Sequence, residues 1–191
     1  RPGRAAAAGL RGDRPARGRV RIALAVRSDL DVEQQVTADG ATWLDRQALS
    51  REPVVLGDAA FGAEVKNAME RRAEHLVDQG FAGRQGQRVV FTRNLLTALR
   101  DREISATGAR LAAETSKPFQ AANEGEHASG VYRRRLTLAS GRFAMIDNGL
   151  GFQLVPWTPS LDKHLGQHVS GIVRGNSGID WSFARKRSLG L

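Results

Sequence analysis

The chain has 191 residues, 41% of them hydrophobic, no cysteine and a formal net charge of +9. That length carries one domain with a real core or two small ones, and a cysteine-free chain excludes a disulfide framework, a thiol nucleophile and a Cys-ligated metal site. No run approaches the roughly 18 apolar residues of a membrane span, and the N-terminus lacks the apolar core of a secretion signal, so a cytoplasmic protein with no membrane partner is expected.

Residues 1–21 hold seven Arg against Asp13 and little else but Ala, Gly and Pro. So few large apolar side chains cannot offset the entropy of ordering, which predicts a disordered basic tail or linker. The chain begins with Arg1 rather than Met, as a fragment or processed piece would.

Residues 22–117 read as a mainly helical region. Ile22 to Val26 is a short apolar run that suits a strand. A turn at Asp39-Gly40 leads into a short helix that Thr42 caps, with Asp45 three residues on as a loose capping box. Trp43 and Leu44 anchor that helix, and Pro53 ends it. Residues 59–79 form an amphipathic helix, with Phe61, Val65, Ala68, Met69, Leu76 and Val77 at helical spacing and Gly80 as its stop. A turn at Arg84 to Gly86 and a strand from Arg88 to Phe91 follow. A second long helix runs from about Thr92 to Glu114, with Leu95, Leu96, Leu99, Ile104 and Leu111 on its apolar side, weakened at Gly108 and closed at Lys117-Pro118. The order helix, strand, helix is loosely that of a winged helix, which would supply a DNA-reading helix.

Residues 118–191 read as β-structure. Strands are expected over Val131 to Leu138, Phe143 to Asp147, Gly151 to Val155, Val169 to Arg174 and Ile179 to Phe183, separated by Gly, Asn, Ser and Pro turns. Leu161 to Leu165 suit one helical turn after Pro159. The fold class is therefore α+β: a helical N-terminal half followed by a small, mostly antiparallel β-barrel, SH3-like or OB-like.

The charge is uneven. Residues 22–58 carry three basic and seven acidic side chains, residues 59–117 ten and seven, and residues 118–191 nine and five. A basic tail and a basic C-terminal half point to a polyanionic partner, nucleic acid first. A GC-rich coding sequence, writing Arg where others write Lys, would leave a similar trace. The DNA-binding candidates are Arg133, Arg134 and Arg135 in one strand, Arg142 and Arg174 beside turns, Trp157 between two prolines, and the cluster Arg185, Lys186 and Arg187. Strand alternation places Arg133 and Arg135 on one face and Arg134 on the other. Such arginines would lie on phosphates or only protect a strand edge. Trp157 would stack on a base or anchor a loop. Tyr132 reads as a barrel-wall residue, and Trp181 and Phe183 as one core-facing pair.

No reaction is legible. His75, His127, His164 and His168 are scattered; His164 and His168, at i and i+4, are too weak a pattern to predict a metal site. Asp39, Asp45, Glu124 and Glu126 read as caps and surface. No Gly-rich phosphate loop and no Ser-His-Asp arrangement is present. No catalytic residue, metal or cofactor is expected.

Several long, ordered phrases carry a family resemblance. They are Gln35-Val36-Thr37-Ala38-Asp39-Gly40-Ala41-Thr42-Trp43-Leu44-Asp45-Arg46, Leu76-Val77-Asp78-Gln79-Gly80, Ser129-Gly130-Val131-Tyr132-Arg133-Arg134-Arg135 and Leu138-Ala139-Ser140-Gly141-Arg142-Phe143-Ala144-Met145-Ile146-Asp147. Phe152-Gln153-Leu154-Val155-Pro156-Trp157-Thr158-Pro159 and Val169-Ser170-Gly171-Ile172-Val173-Arg174-Gly175 continue them. Over roughly residues 32–187 the chain resembles the C-terminal region of VirD2-type conjugative relaxases, the mobilisation nucleases of bacterial plasmids and integrative elements, a region usually called a domain of unknown function. The family's nicking tyrosine and histidine metal site belong to its N-terminal domain. The resemblance therefore implies no catalytic role for the lone Tyr132. It implies a non-catalytic accessory region that assists transfer by contacting single- or double-stranded DNA near an origin of transfer. The alternative is a protein-interaction module that recruits the relaxase to a coupling protein or other relaxosome components.

Overall fold

Two short capped helices open the described part of the chain. The computed structural model describes residues 28–56, 61–175 and 178–183; the expected basic tail and the apolar run from Ile22 lie outside them. Helix α1 (Val32–Val36) begins on a capping box that the sequence reading missed, with Asp31 Oδ1 accepting from the Gln34 N–H at 2.7 Å and Gln34 Oε1 from the Asp31 N–H at 3.1 Å. Helix α2 (Trp43–Ala48) begins on the expected Thr42–Asp45 box. Each box satisfies N-terminal amides that a helix of one or two turns could not otherwise bond.

Helix α3 (Phe61–Asp78) buries Val65, Ala68, Arg72 and Leu76, one stripe at helical spacing. Its first half packs on Val32, Val36, Trp43 and Leu44. A hairpin of β1 (Ala82–Gln85) and β2 (Arg88–Phe91) follows, with Gln85 opposite Arg88. Arg84, expected in a turn, is thus part of a strand.

Helix α4 (Leu95–Thr115) serves both halves. Leu95 and Leu99 pack with Ala41 and Leu76, whereas Leu111 packs on Met145, Phe152 and Leu154 of the sheet. Gly108, read from sequence as a weak point, is where the Phe119 ring lies against the helix, so close that a Cβ there would overlap the ring. The helix ends at Ser116, whose φ of 55° is left-handed.

The rest is one antiparallel sheet of five strands: β3 (His127–Leu138), β4 (Gly141–Asp147), β5 (Phe152–Pro156), β6 (His168–Arg174) and β7 (Gly178–Ser182), in the order β5-β4-β3-β6-β7. A 3-10 turn, Pro159–His164, links β5 to β6. One face of the sheet meets α4. The other closes over Leu161, burying Ala128, Tyr132, Ala144, Ile146, Val155, Val169, Val173 and Ile179, with Trp181 and Phe183 packed against them. The protein is α+β, as expected. No closed barrel is found: among the described residues no ladder joins β5 to β7. The free edge of β5 is already used, since the Phe152 N–H donates to Pro118 O at 3.0 Å and the Gln120 N–H to Phe152 O at 2.9 Å.

The β3–β4 register corrects one expectation. Tyr132 lies opposite Ile146 and Arg134 opposite Met145, so Arg133 is the extra residue of a bulge. The bulge resets the alternation. Tyr132 and Arg135 share the face of Ile146 and Ala144, Arg134 shares the face of Met145 toward α4, and Arg133 and Arg135 do not act from one face.

Candidate nucleic-acid interface

The tip of the β3–β4 hairpin is held against the helical half by four hydrogen bonds. Glu103 of α4 accepts from the Ala139 N–H at 2.8 Å and the Ser140 N–H at 2.9 Å. Ser140 Oγ accepts from the Ala41 N–H at 2.9 Å, and Arg46 Nη2 donates to Ser140 O at 3.2 Å. These contacts set the start of β4 beside the first half of α4. Between them lies an open cleft of about 430 Å³, bordered by Arg46 of α2, Leu96 and Arg100 of α4, Arg142 and Phe143 of β4, and Trp157.

Trp157 is placed by main-chain bonding. Its N–H donates to Arg142 O at 2.9 Å, one step past the β4–β5 ladder. Two guanidiniums flank its ring, Arg135 at 5.0 Å and Arg142 at 6.0 Å from the centroid, within cation–π range. Its indole N–H is buried with no acceptor among the described residues. Arg100 lies 5.4 Å from the Phe143 centroid. No carboxylate pairs with Arg100 among the described residues, and burial pushes its guanidinium below the ordinary arginine value, against a smaller opposing pull from Asp101. Arg142 is paired with Asp29.

Two guanidiniums thus flank one indole, and Arg46 and Arg100 border the same cleft, with Asp29 the one carboxylate salt-bridged to any of the four among the described residues. Guanidiniums bind phosphate oxygens in a bidentate fork, and an aromatic ring beside them offers a surface for an unpaired base.

The other candidates are placed elsewhere. Arg133 Nε donates to Asp147 at 3.2 Å, beside Lys117, whose Nζ reaches the same oxygen at 2.6 Å. The Asp147 carboxyl is held below the usual aspartate range, first by the hydrogen bond from Lys117. Arg134 pairs with Glu114 at 3.3 Å, and Arg174 with Asp180 at 2.9 Å across the β6–β7 hairpin. The three consecutive arginines therefore serve three separate partners: Asp147, Glu114 and Trp157. Arg185, Lys186 and Arg187 lie outside the described residues. Of the sequence candidates, the structure brings together Arg135, Arg142 and Trp157.

Across residues 8–190 the chain matches the family described as protein of unknown function (DUF3363). The chain belongs to that family. No curated protein and no solved structure matches it.

In this DUF3363 chain, two of the phrases picked out above are joints of the fold. The run Gln35 to Arg46 wraps the Arg72 side chain, whose guanidinium donates to Val36 O, Ala38 O, Gly40 O and the Asp45 carboxylate. Asp45, read as a surface cap, is both cap and buried ion-pair partner. The run Leu138 to Asp147 holds the hairpin tip gripped by Glu103. Arg46 and Arg100 were not singled out from sequence. Their only signal is charge on helical faces, and the convergence with Arg142 depends on the docked tip.

The remaining candidates for chemistry stay apart. His164 lies in the 3-10 turn and stacks on Phe183 at 4.0 Å between centroids, while His168 lies in β6, so the two do not share a helix face. Among the described residues no group of three or more His, Cys, Asp or Glu is placed to hold a metal ion, and no helix is long and apolar enough to cross a membrane. Helix α3, which would be the reading helix of a winged-helix arrangement, turns Glu64, Glu70 and Asp78 to solvent, and pairs its Arg71 with Glu33 at 2.6 Å.

Proposed function

We propose that this region is a non-catalytic accessory part of a conjugative relaxase that assists DNA transfer by contacting DNA, and that the contact is made in the cleft around Trp157. The placement of Arg135 and Arg142 on one aromatic ring, beside a cleft that Arg46 and Arg100 also border, carries this reading. The relaxase setting rests on the motif resemblance, and the curled sheet reads as an opened SH3-like or OB-like barrel. A single strand suits the cleft better than a duplex, because an indole is useful to an unpaired base and not to a stacked one. The test is anisotropy of a labelled oligothymidylate and a labelled duplex at two salt concentrations. Binding that weakens steeply with salt and prefers the single strand is expected. No binding at low salt sinks the reading.

A second reading, a module that recruits the relaxase to the transfer machinery, is favoured by one observation. An apolar cleft of about 350 Å³, lined by Trp43, Pro53, Val54, Leu56 and Met69, opens beside a Val55 that is 86% exposed. Pull-down of the coupling protein that survives nuclease treatment, and that Met69→Glu abolishes, would support it. Loss of the interaction on nuclease treatment would count against it.

A further inference from the structure

Asp29 and Arg142 are 113 residues apart in sequence, yet their side chains meet edge to edge. Arg142 Nε donates to Asp29 Oδ2 at 2.9 Å and Arg142 Nη2 to Oδ1 at 2.7 Å. This is the two-pronged geometry by which a guanidinium holds either a carboxylate or a phosphate. The guanidinium is the same one that flanks Trp157, and Arg135 stands on the same ring. We infer that Arg142 and Arg135 form a phosphodiester subsite beside Trp157, and that in the free protein the Asp29 carboxylate fills the place of the phosphate.

The inference rests on the DNA reading above and adds to it a subsite, a ligand group and an internal competitor. The Arg142–Asp29 pair is easily exchanged, since both side chains are nearly half exposed, 45% and 40%, and exposed ion pairs are weak. The carboxylate already feels both cations: the hydrogen bond from Arg142 lowers it first, and the charge of Arg135 adds to the pull. A polyanion exchanging for Asp29 also meets Arg100, which borders the same cleft and pairs with no carboxylate among the described residues. That favours a nucleic-acid backbone, with its regular phosphates and bases, over an acidic peptide. Exchange also removes one tie on the segment that leads into α1, because Asp29 lies two residues before the Asp31 cap.

The experiment is a double-mutant cycle on the full chain, with anisotropy of labelled oligothymidylate as readout. Asp29→Asn removes the competitor and keeps the shape. It is expected to tighten binding about twofold to fivefold, and to give no gain in an Arg142→Gln background. An equal gain in both backgrounds would mean that Asp29 acts only through the overall field, which overturns the inference while leaving the DNA reading intact. No gain in either background does the same. Absence of binding by every variant overturns both. Polyglutamate that binds with the same Asp29 and Arg142 dependence, where oligothymidylate does not, would assign the subsite to carboxylates and overturn its phosphodiester identity. Hydrogen exchange gives an independent readout: amides of residues 28–31 are expected to exchange faster when oligothymidylate is bound, and unchanged or slower exchange contradicts the displacement.

Discussion

Arg72 of α3 and Asp45 of α2 form a two-pronged ion pair, 2.9 Å at each contact, with the two side chains 2% and 0% exposed. The remaining guanidinium hydrogens go to three main-chain carbonyls, Val36, Ala38 and Gly40. One side chain therefore fixes the loop between α1 and α2 and seats it on α3. Removing a single partner of a buried pair strands the other charge, which costs about 3–5 kcal/mol. Arg72→Met is expected to lose stability of that order in urea denaturation. Arg72→Lys is expected to recover little, because one ammonium cannot reach Asp45 and three carbonyls in a planar fork.

Gly40 sits where the helical half meets the hairpin tip. A Cβ there would run into the Glu103 carboxylate and the Ser140 hydroxyl, two of the groups that hold the tip. Gly40→Ala is expected to cost about 1–3 kcal/mol, the usual range for overpacking a close contact. The loss should couple to Glu103. In a Glu103→Ala background the obstruction is relieved, so the added cost of Gly40→Ala falls below its cost in the wild type. Additive losses, read from thermal or urea melts of the four proteins, would show that the glycine acts elsewhere.

The elements were legible wherever one periodicity dominated. Val65, Ala68 and Leu76 mark α3, the five strands lie between clear turns, and the Thr42–Asp45 box announces α2. What stayed hidden depends on a single inserted residue or on distant partners. The bulge at Arg133 shifts every face assignment after it, and no residue type in Tyr132-Arg133-Arg134-Arg135 announces it. The open sheet edge is set by Pro118 and Gln120 pairing with Phe152, a contact with no local signature. The site was half legible for the same reason: Arg135, Arg142 and Trp157 lie in β-rich phrases, while Arg46 and Arg100 come from helices that only the docked hairpin brings near them.

The salt-bridged arginines and the cleft arginines make a direct contrast. Arg133 and Arg134 are each salt-bridged to a carboxylate, whereas Arg100 pairs with none among the described residues. Arg100→Gln is expected to weaken single-strand binding and to reduce the salt slope by about 0.7, the value of one phosphate contact on a single strand. Arg134→Gln is expected to leave both nearly unchanged. A larger effect from Arg134 than from Arg100, in anisotropy titrations across salt, would move the interface from the cleft to the α4 side of the sheet.

Asp147 gives the fold an acid limit with a definite sign. Its carboxylate accepts from Lys117, Arg133 and the Gly149 N–H, and its pKa in the folded protein lies below the ordinary aspartate value. The unfolded chain, at about 3.9, therefore takes up the proton first as pH falls. The stabilisation is complete above that pH and is lost as pH drops through the folded value. Glu33, Glu114 and Glu126 are lowered in the same direction, but they are exposed and screened by solvent. Asp147→Asn should thus be about 1–3 kcal/mol less stable than the wild type at neutral pH. The gap should narrow as the wild type is acidified below about pH 4. Urea midpoints of both proteins through the acid range check this; curves that stay parallel would place the acid limit on another carboxylate.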